Sequence, residues 1–319
     1  MNGMTANDTT ANDTTANDKI AVLLMAYGTP RTPEDIEPYY TDTRRGRPPT
    51  PEQLADLTGR YEALGGTSPL AARTEAQRTA LQAALDDAAP GCYHVVLGLK
   101  HAEPKVEAAV ATLASEGYRQ IVGLVLAPHY SAFSIGQYLD RARAAAEPHG
   151  ITVNGIESWA TEPAFVDFIA NDLRTKLAAM PADTRVLFTA HSLPQRIVAA
   201  GDRYPDELQA TAHAVAAAVG LASTSWQIAW QSAGRTPEPW LGPDILHVID
   251  ELADAGTAGV LVSAVGFVAD HLEVLYDLDI EASRRAAARG VAFARTSCVN
   301  DNPTVMAALA QRVIEASSS

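Results

Sequence analysis

The stretch "RVLFTAHSLP" (residues 185–194) places a histidine directly after a short apolar run. Residues 186–189 are bulky or β-branched, which is typical of a buried strand, and Ser192 and Pro194 end the pattern. His191 therefore stands at the end of a predicted strand. Two interpretations of it are open from this stretch alone: a hydrogen-bonded residue that ends a strand, or an imidazole held at a functional site.

The rest of the chain alternates short apolar runs with longer helical segments, many of them rich in alanine. The apolar runs are "IAVLLMAY", "YHVVLGLK", "QIVGLVLAPHY", "RVLFTAH", "SWQIAWQS" and "GVLVSAVGFV". Strands separated by helices of this length predict βαβ units, and therefore α/β domains with a parallel sheet flanked by helices. Ligands bind beyond the carboxyl ends of the strands in such sheets, and His191 lies at one of these ends.

The two halves of the chain also resemble each other. "VLLMAYGTP" (22–30) aligns with "VLFTAHSLP" (186–194), and residues 113–134 align with residues 252–273 in the same order. A duplication of this kind predicts two similar Rossmann-like domains that face each other across a cleft.

The alignment places Tyr27 and His191 at equivalent strand ends. If the two domains face each other, a tyrosine oxygen and an imidazole nitrogen can approach a metal in a flat macrocycle from its two opposite faces. We predict an N-terminal α/β domain over residues 19–160 and a C-terminal one over residues 161–319. The polar repeat "TANDTTANDTTAND" has nothing to bury, so residues 1–18 are predicted to be a disordered tail.

Composition excludes several classes of protein. The formal net charge is -14, and no basic stripe is present, so we expect no nucleic-acid partner. Local arginines can still bind an anionic small molecule. Cys92 and Cys298 have no metal-ligand spacing, which indicates a reducing compartment. The longest apolar stretch (259–269) is too short to span a bilayer and no signal-peptide pattern opens the chain, so we expect a cytoplasmic protein without stable membrane association.

Three carboxylates, which we call the acidic row, follow the apolar run at 259–268: Glu273, Asp277 and Glu281. Intervals of four place them on one face of an α-helix. A solvated acidic face is one interpretation of such a pattern. Because Glu273 lies close to a strand end, the other is a row of hard oxygens that passes Fe²⁺ or Mg²⁺ inward or protons outward.

Many separate motifs, in family order from about residue 20 to about residue 312, together resemble the ferrochelatases. They include "LLMAYGTP", "GRYEALGGTSPL", "GLKHAEP", "LAPHYSAFS", "AHSLP", "WQS", "TPEPWLGPD" and "GFVADHLEVLYDLDIE". The chain is most similar to the soluble bacterial coproporphyrin ferrochelatases within that family. The resemblance implies a chelatase-like fold and insertion of Fe²⁺ into coproporphyrin III, with release of two protons, to give coproheme for haem biosynthesis.

The resemblance also implies roles for particular residues. His191 and Glu273 match the metal-site pair, and Tyr27 matches the residue that approaches the iron from the other face. Asp277 and Glu281 match a secondary hydrated-metal site. The positions that hold the porphyrin, chiefly around its propionates, are matched by Tyr27, Arg44, Arg60, Tyr61, Ser68 and Tyr138.

An imidazole suits this reaction because two pyrrole protons must leave as the metal enters. We expect His191 to be a base that is neutral near physiological pH, with Glu273 orienting it or accepting the proton next. Fe²⁺ is a substrate, so no tightly bound cofactor is expected. Relatives with a [2Fe–2S] centre carry several cysteines near the C-terminus, whereas this chain has only Cys298 there, so no cluster is expected.

The segment "TDTRRGRPPTP" (41–51), which we call the lip, is basic and polar. Arginine forks bind carboxylates well, so the lip favours coproporphyrin III, which has four propionates, over protoporphyrin IX, which has two. A solvated turn is the alternative for Arg45 and Arg47. Ala233 and Arg235 depart from the family pattern, which has an acidic and a small polar residue there.

Three other functions remain open at this stage: a protoporphyrin IX ferrochelatase, a chelatase that inserts cobalt or nickel into a more reduced tetrapyrrole, and a non-catalytic coproheme carrier. The composition and the resemblance favour a monomer. The product implies transient contact with a downstream enzyme of the haem pathway.

Overall fold

The computed structural model describes residues 19–234 and 236–318. The predicted tail, Arg235 and Ser319 lie outside the described residues. The strands are β1 Ile20–Ala26, β2 Tyr93–Leu99, β3 Gln120–Val125, β4 Thr152–Ile156, β5 Thr184–His191, β6 Trp226–Gln231, β7 Gly259–Ser263 and β8 Ala292–Arg295. All strand pairs in the two sheets are parallel.

The two sheets have the same topology, β2-β1-β3-β4 and β6-β5-β7-β8. This confirms the prediction of two similar α/β units with parallel sheets. β1 and β5 occupy the same place in their sheets, so Tyr27 follows one strand at the position where His191 ends the other. The sequence patterns did not indicate the edge strands β4 and β8, because both are short and mostly half-buried.

Helices cover both sheets. The α-helices are α1 Ile36–Thr43, α2 Pro51–Glu62, α3 Leu70–Ala88, α4 Val106–Ser115, α5 Gln137–Ala146, α6 Pro163–Leu177, α7 Arg196–Ala199, α8 Tyr204–Val219, α9 Ile245–Asp254, α10 Leu272–Val274, α11 Ser283–Ala288 and α12 Pro303–Ser317. Short 3₁₀ turns occupy Pro33–Asp35 and Glu147–His149, and π-helical segments occupy Ala132–Gly136 and Leu275–Ala282. The π-helical segments come after β3 and β7, which are equivalent strands.

The C-terminal helix α12 does not stay with the second sheet. It packs on α3, β3 and β4 of the first half. Gln120 of β3 and Asn154 of β4 donate side-chain hydrogen bonds to the carbonyls of Ser317 (2.8 Å) and Ala316 (3.0 Å). The domain boundary predicted after residue 160 stays a prediction, and the structure adds that residues 303–317 return to the first sheet.

The prediction of a regular α-helix along the acidic row is wrong. α10 passes at once into the π-helical segment Leu275–Ala282, whose hydrogen bonds join residues five apart. Gln231 Nε2 donates to the carbonyl oxygen of Glu273 (2.9 Å), the acceptor that residue 277 would use in an α-helix. A side chain that inserts in this way takes a carbonyl from the helical hydrogen-bond pattern. The position of the Gln231 side chain depends on how β6 packs against this segment.

Close packing after β7 holds β5 in place. Gly266 donates its N–H to the carbonyl of Thr189 (3.0 Å), and a Cβ at position 266 would lie only 2.7 Å from the Cα of Ala190. A side chain there must push β5 away, and β5 ends at His191.

We therefore expect Gly266→Ala to lower the free energy of unfolding by about 1–3 kcal/mol, the cost of overpacking a tight core. Urea denaturation measures it. Gly59→Ala is the matched control, because Gly59 lies in α2 with open space around it and should gain about 0.5–1 kcal/mol of stability. Equal effects of the two substitutions would contradict the packing argument.

Candidate functional site

The carboxyl end of the second sheet brings His191 and Glu273 together. His191 pairs in register with Gln231 of β6, and Glu273 lies in α10, just beyond β7. His191 Nδ1–H donates to the carbonyl of Ser192 (2.5 Å), because a carbonyl oxygen can only accept. Nε2 is thereby turned toward Glu273 Oε1, 3.5 Å away.

The charged forms of His191 and Glu273 stabilise each other. Burial is the largest influence on both groups, and alone it would lower the pKa of His191 and raise the pKa of Glu273. Mutual attraction outweighs burial: the pKa of His191 rises to about 9 and the pKa of Glu273 falls to about 2. The expectation of a neutral His191 is therefore wrong for the protein on its own, because a carboxylate this close stabilises the imidazolium.

The next member of the acidic row is nearly buried. Burial, followed by the charge of Glu273, raises the pKa of Asp277 to about 7. Ser232 donates its hydroxyl to Asp277, and Arg60 Nη1 lies 3.4 Å from Asp277 Oδ1. Asp277 therefore exchanges a proton near neutral pH, beside the metal-site pair. Glu281 is half-buried and adds its negative charge to this group.

Arg60 joins the two halves of the predicted site. It reaches Asp277 from α2, its guanidinium lies 4.9 Å from the centre of the Tyr276 ring, and Asp56 is 3.5 Å from its Nε. A predicted porphyrin residue and the acidic row are thus in direct contact across the cleft. Among the described residues, no group of three or more His, Cys, Asp or Glu side chains forms a metal-binding cluster.

The opposite wall carries Tyr27, which is 47% exposed even though the strand before it is buried. Its ring centre lies 4.5 Å from that of His101 and 6.4 Å from that of Tyr39. Tyr61 is buried, and its hydroxyl lies 3.4 Å from the hydroxyl of Thr29. Burial raises the pKa of Tyr61 to about 12, and the charge of Glu273 acts in the same direction.

The remaining predicted porphyrin residues lie on the first half of the chain. Ser68 is buried and accepts a hydrogen bond from the N–H of Leu70 (3.2 Å), at the start of α3. Tyr138 is buried at the start of α5. In the described structure, no hydrogen bond, ion pair or ring contact joins Arg44, Ser68 or Tyr138 to the metal-site pair.

The lip forms an ordered turn. Arg44 and Arg47 each donate a side-chain N–H to the other's carbonyl, at 3.2 and 3.3 Å. Arg45 between them adopts a left-handed backbone with φ 59°. The guanidinium of Arg44 also lies 5.5 Å from the ring centre of Tyr40. The solvated-turn interpretation of Arg45 and Arg47 and the carboxylate-binding one both remain compatible with this geometry.

Sequence reasoning did not assign roles to Gln231 and Ser232. They belong to the "WQS" motif at the end of β6, and they hold Glu273 and Asp277 by the two hydrogen bonds described above. Their position at the end of β6, next to His191 in the sheet, could have indicated that they belong to the site. Of the two departures in the following loop, Ala233 is exposed.

A family model described as ferrochelatase matches residues 19–317. The chain belongs to the ferrochelatase family. Similar proteins include the coproporphyrin III ferrochelatase of Geobacillus kaustophilus (45% identical over 301 residues, 92% of this chain and 95% of that protein). The ferrochelatase of Herpetosiphon aurantiacus is also 45% identical, over 291 residues (89% of this chain and 95% of that protein).

Solved structures agree on the fold of this family member. The sirohydrochlorin chelatase SirB of Bacillus subtilis subspecies spizizenii, in complex with cobalt, has a TM-score of 0.57 at 13% identity, with 94% of this chain and 96% of that chain covered. SirB from Bacillus subtilis with Fe³⁺ has a TM-score of 0.60 at the same identity and coverage. Within the described residues, every helix is too short or too polar to cross a membrane.

The metal-site pair has a defined pH window. The contribution of His191 to stability is full below its unfolded pKa of 6.5 and is lost as pH rises through about 9. The contribution of Glu273 is full above its unfolded pKa of 4.5 and is lost as pH falls through about 2. We expect Glu273→Gln to destabilise the protein most between pH 4.5 and pH 6.5, where both contributions are full. Urea unfolding at a series of pH values measures the effect.

Glu273→Gln should also move the titration of His191. Without the carboxylate, burial dominates, so the pKa of His191 should fall from about 9 to near or below its ordinary value of 6.5. NMR titration of the imidazole Cε1–H signal measures it. Glu281→Gln is the control on the same row and should leave the His191 titration close to wild type; an unchanged titration in Glu273→Gln would refute the pairing.

Proposed function

We propose that this chain inserts Fe²⁺ into coproporphyrin III to give coproheme in haem biosynthesis, with His191 and Glu273 at the metal site. The observation that carries the proposal is the His191–Glu273 pair at the carboxyl end of the second sheet, with Tyr27 at the equivalent strand end of the first. The names of the relatives support the substrate, and the lip supplies cations for a molecule with four carboxylates.

The pair must move protons outward before it takes them from the porphyrin. At neutral pH, His191 holds a proton in the free protein, so its Nε2 cannot accept a second one. An approaching Fe²⁺ substrate repels the imidazolium and favours transfer of that proton to a carboxylate. Asp277, with a pKa of about 7, is the next acceptor along the acidic row. The freed Nε2 then accepts one pyrrole proton, and loss of that proton along the acidic row frees Nε2 for the second.

The porphyrin-binding residues lie on the first half of the chain, and Arg60 among them also contacts the proton acceptor Asp277. Arg44, Arg60, Tyr61, Ser68 and Tyr138 would hold the ring and its carboxylates against the first half of the chain. Tyr27 would then face the metal from the side opposite His191. Binding energy from the carboxylates is available to distort the ring so that its nitrogens point toward the metal.

Anaerobic Fe²⁺ insertion with coproporphyrin III and protoporphyrin IX side by side, followed by absorbance, tests the proposal. We expect faster insertion into coproporphyrin III. Faster insertion into protoporphyrin IX would support the proposed reaction but contradict coproporphyrin III as the preferred substrate. Binding of either porphyrin without insertion would favour the carrier function, and insertion of cobalt or nickel into a more reduced tetrapyrrole alone would favour the other chelatase.

His191→Ala should reduce insertion by about 100-fold or more, the usual contribution of a general base, while coproporphyrin III still binds. Steady-state absorbance measures the rate and fluorescence quenching measures binding. His247→Ala, which removes an exposed histidine from α9, is the matched control and should keep the wild-type rate. Near-normal insertion by His191→Ala would mean that another residue is the base.

We also propose that the protein acts as a cytoplasmic monomer, without a tightly bound cofactor or [2Fe–2S] cluster, and passes its product by transient contact to the next enzyme. The acidic composition and the presence of only two cysteines support this. Sedimentation of the purified protein tests the monomer, and its visible spectrum tests the cluster.

A further inference from the structure

Lys100 lies beside Tyr27 on the first wall of the cleft. It follows β2, and its N–H donates to the carbonyl of Ala26 (2.9 Å), one residue before Tyr27. Its Nζ donates to Gln137 Oε1 (2.7 Å) and lies 5.2 Å from the ring centre of Tyr138. The ammonium is therefore anchored at the start of α5, against a residue that the proposed function assigns to porphyrin binding.

Two neighbouring cations on this side, Lys105 and Arg141, are already paired. Lys105 Nζ lies 3.0 Å from Asp42 Oδ2, which also accepts from His101 Nδ1 at 2.7 Å. Arg141 donates two side-chain hydrogen bonds to the carboxylate of Glu107, of 2.6 and 2.7 Å. Asp42 and Glu107 are thus committed to partners other than Lys100.

Lys100 differs, because no carboxylate of residues 19–234 or 236–318 forms a salt bridge with its ammonium. Burial, followed by the nearby charges of Arg141 and Arg45, lowers the pKa of Lys100 to about 8, so the group is still mostly charged at neutral pH. A partly buried ammonium without a counter-ion is costly, and a bound anion would remove that cost.

The position of Lys100 points to a particular anion. Arg60 lies on α2 and Ser68 just before α3, whereas Lys100 lies between the lip, whose Arg45 acts on its charge, and Tyr138 at the start of α5. Protoporphyrin IX carries its two propionates on neighbouring pyrroles, along one edge of the ring. Coproporphyrin III carries one on every pyrrole, so its carboxylates need partners on more than one side.

We propose that Lys100 binds a propionate that coproporphyrin III has and protoporphyrin IX lacks, and that it determines specificity between the two. The inference rests on the proposed function. Gln137 and the Tyr138 ring fix the ammonium before the substrate arrives, so little side-chain entropy is lost on binding.

Binding of metal-free porphyrins to the full chain tests this. Coproporphyrin III and deuteroporphyrin IX, which has two neighbouring propionates, are titrated at one ionic strength and followed by tryptophan fluorescence. We expect Lys100→Met to weaken the binding of coproporphyrin III about tenfold, because one charge-assisted hydrogen bond is lost. The affinity for deuteroporphyrin IX should change less than about twofold. Lys100→Arg should keep most of the selectivity, because it keeps the charge.

Lys105→Met is the matched control, since it removes an equal charge from the same side but from a group that is already paired. Equal weakening of both porphyrins by Lys100→Met, or no weakening, would overturn the inference. The same selective loss in Lys105→Met would also overturn it, because the effect would then be one of overall charge.

Fe²⁺ insertion by the wild type, measured on the same samples, separates the two proposals. Insertion into coproporphyrin III without selective loss in Lys100→Met overturns the role of Lys100 alone. Selective loss of binding without any insertion by the wild type overturns the proposed function and supports the carboxylate site at Lys100.

Discussion

The attraction between His191 and Glu273 offsets the desolvation that each group suffers at the carboxyl end of the second sheet, and contacts from neighbouring strands hold the pair in place. Three neighbouring strands contribute: β5 ends at His191, β6 supplies Gln231 to the carbonyl of Glu273, and the loop after β7 packs Gly266 on the backbone before His191. A parallel sheet brings these ends together without any long-range signal in the local sequence.

The central strands could be predicted from the sequence because they are almost wholly buried, so their residues form continuous apolar runs. The same logic failed for β4 and β8, whose half-buried positions leave no such run. The equivalence of Tyr27 and His191 was visible because both stand at the end of a central apolar run. The π-helical segment was not, because it depends on Gln231, more than forty residues away in the chain.

The protonation of the pair could not be predicted for a related reason. Residue type favours a neutral imidazole near pH 7, but the charge on His191 depends on its 3.5 Å distance from Glu273, which only the folded chain defines. The two sheets share one topology, but the side chains near their strand ends carry opposite charges. The wall built on β1 presents arginines and Lys100, and the wall built on β5 presents the acidic row.

The return of α12 to the first sheet has a consequence for synthesis on the ribosome. The first half of the chain emerges early, but the face of its sheet next to α3 stays uncovered until residues 303–317 have left the exit tunnel. Apolar surface exposed for that long favours association with chaperones or with other nascent chains. The N-terminal half thus completes its layers last, even though it is made first.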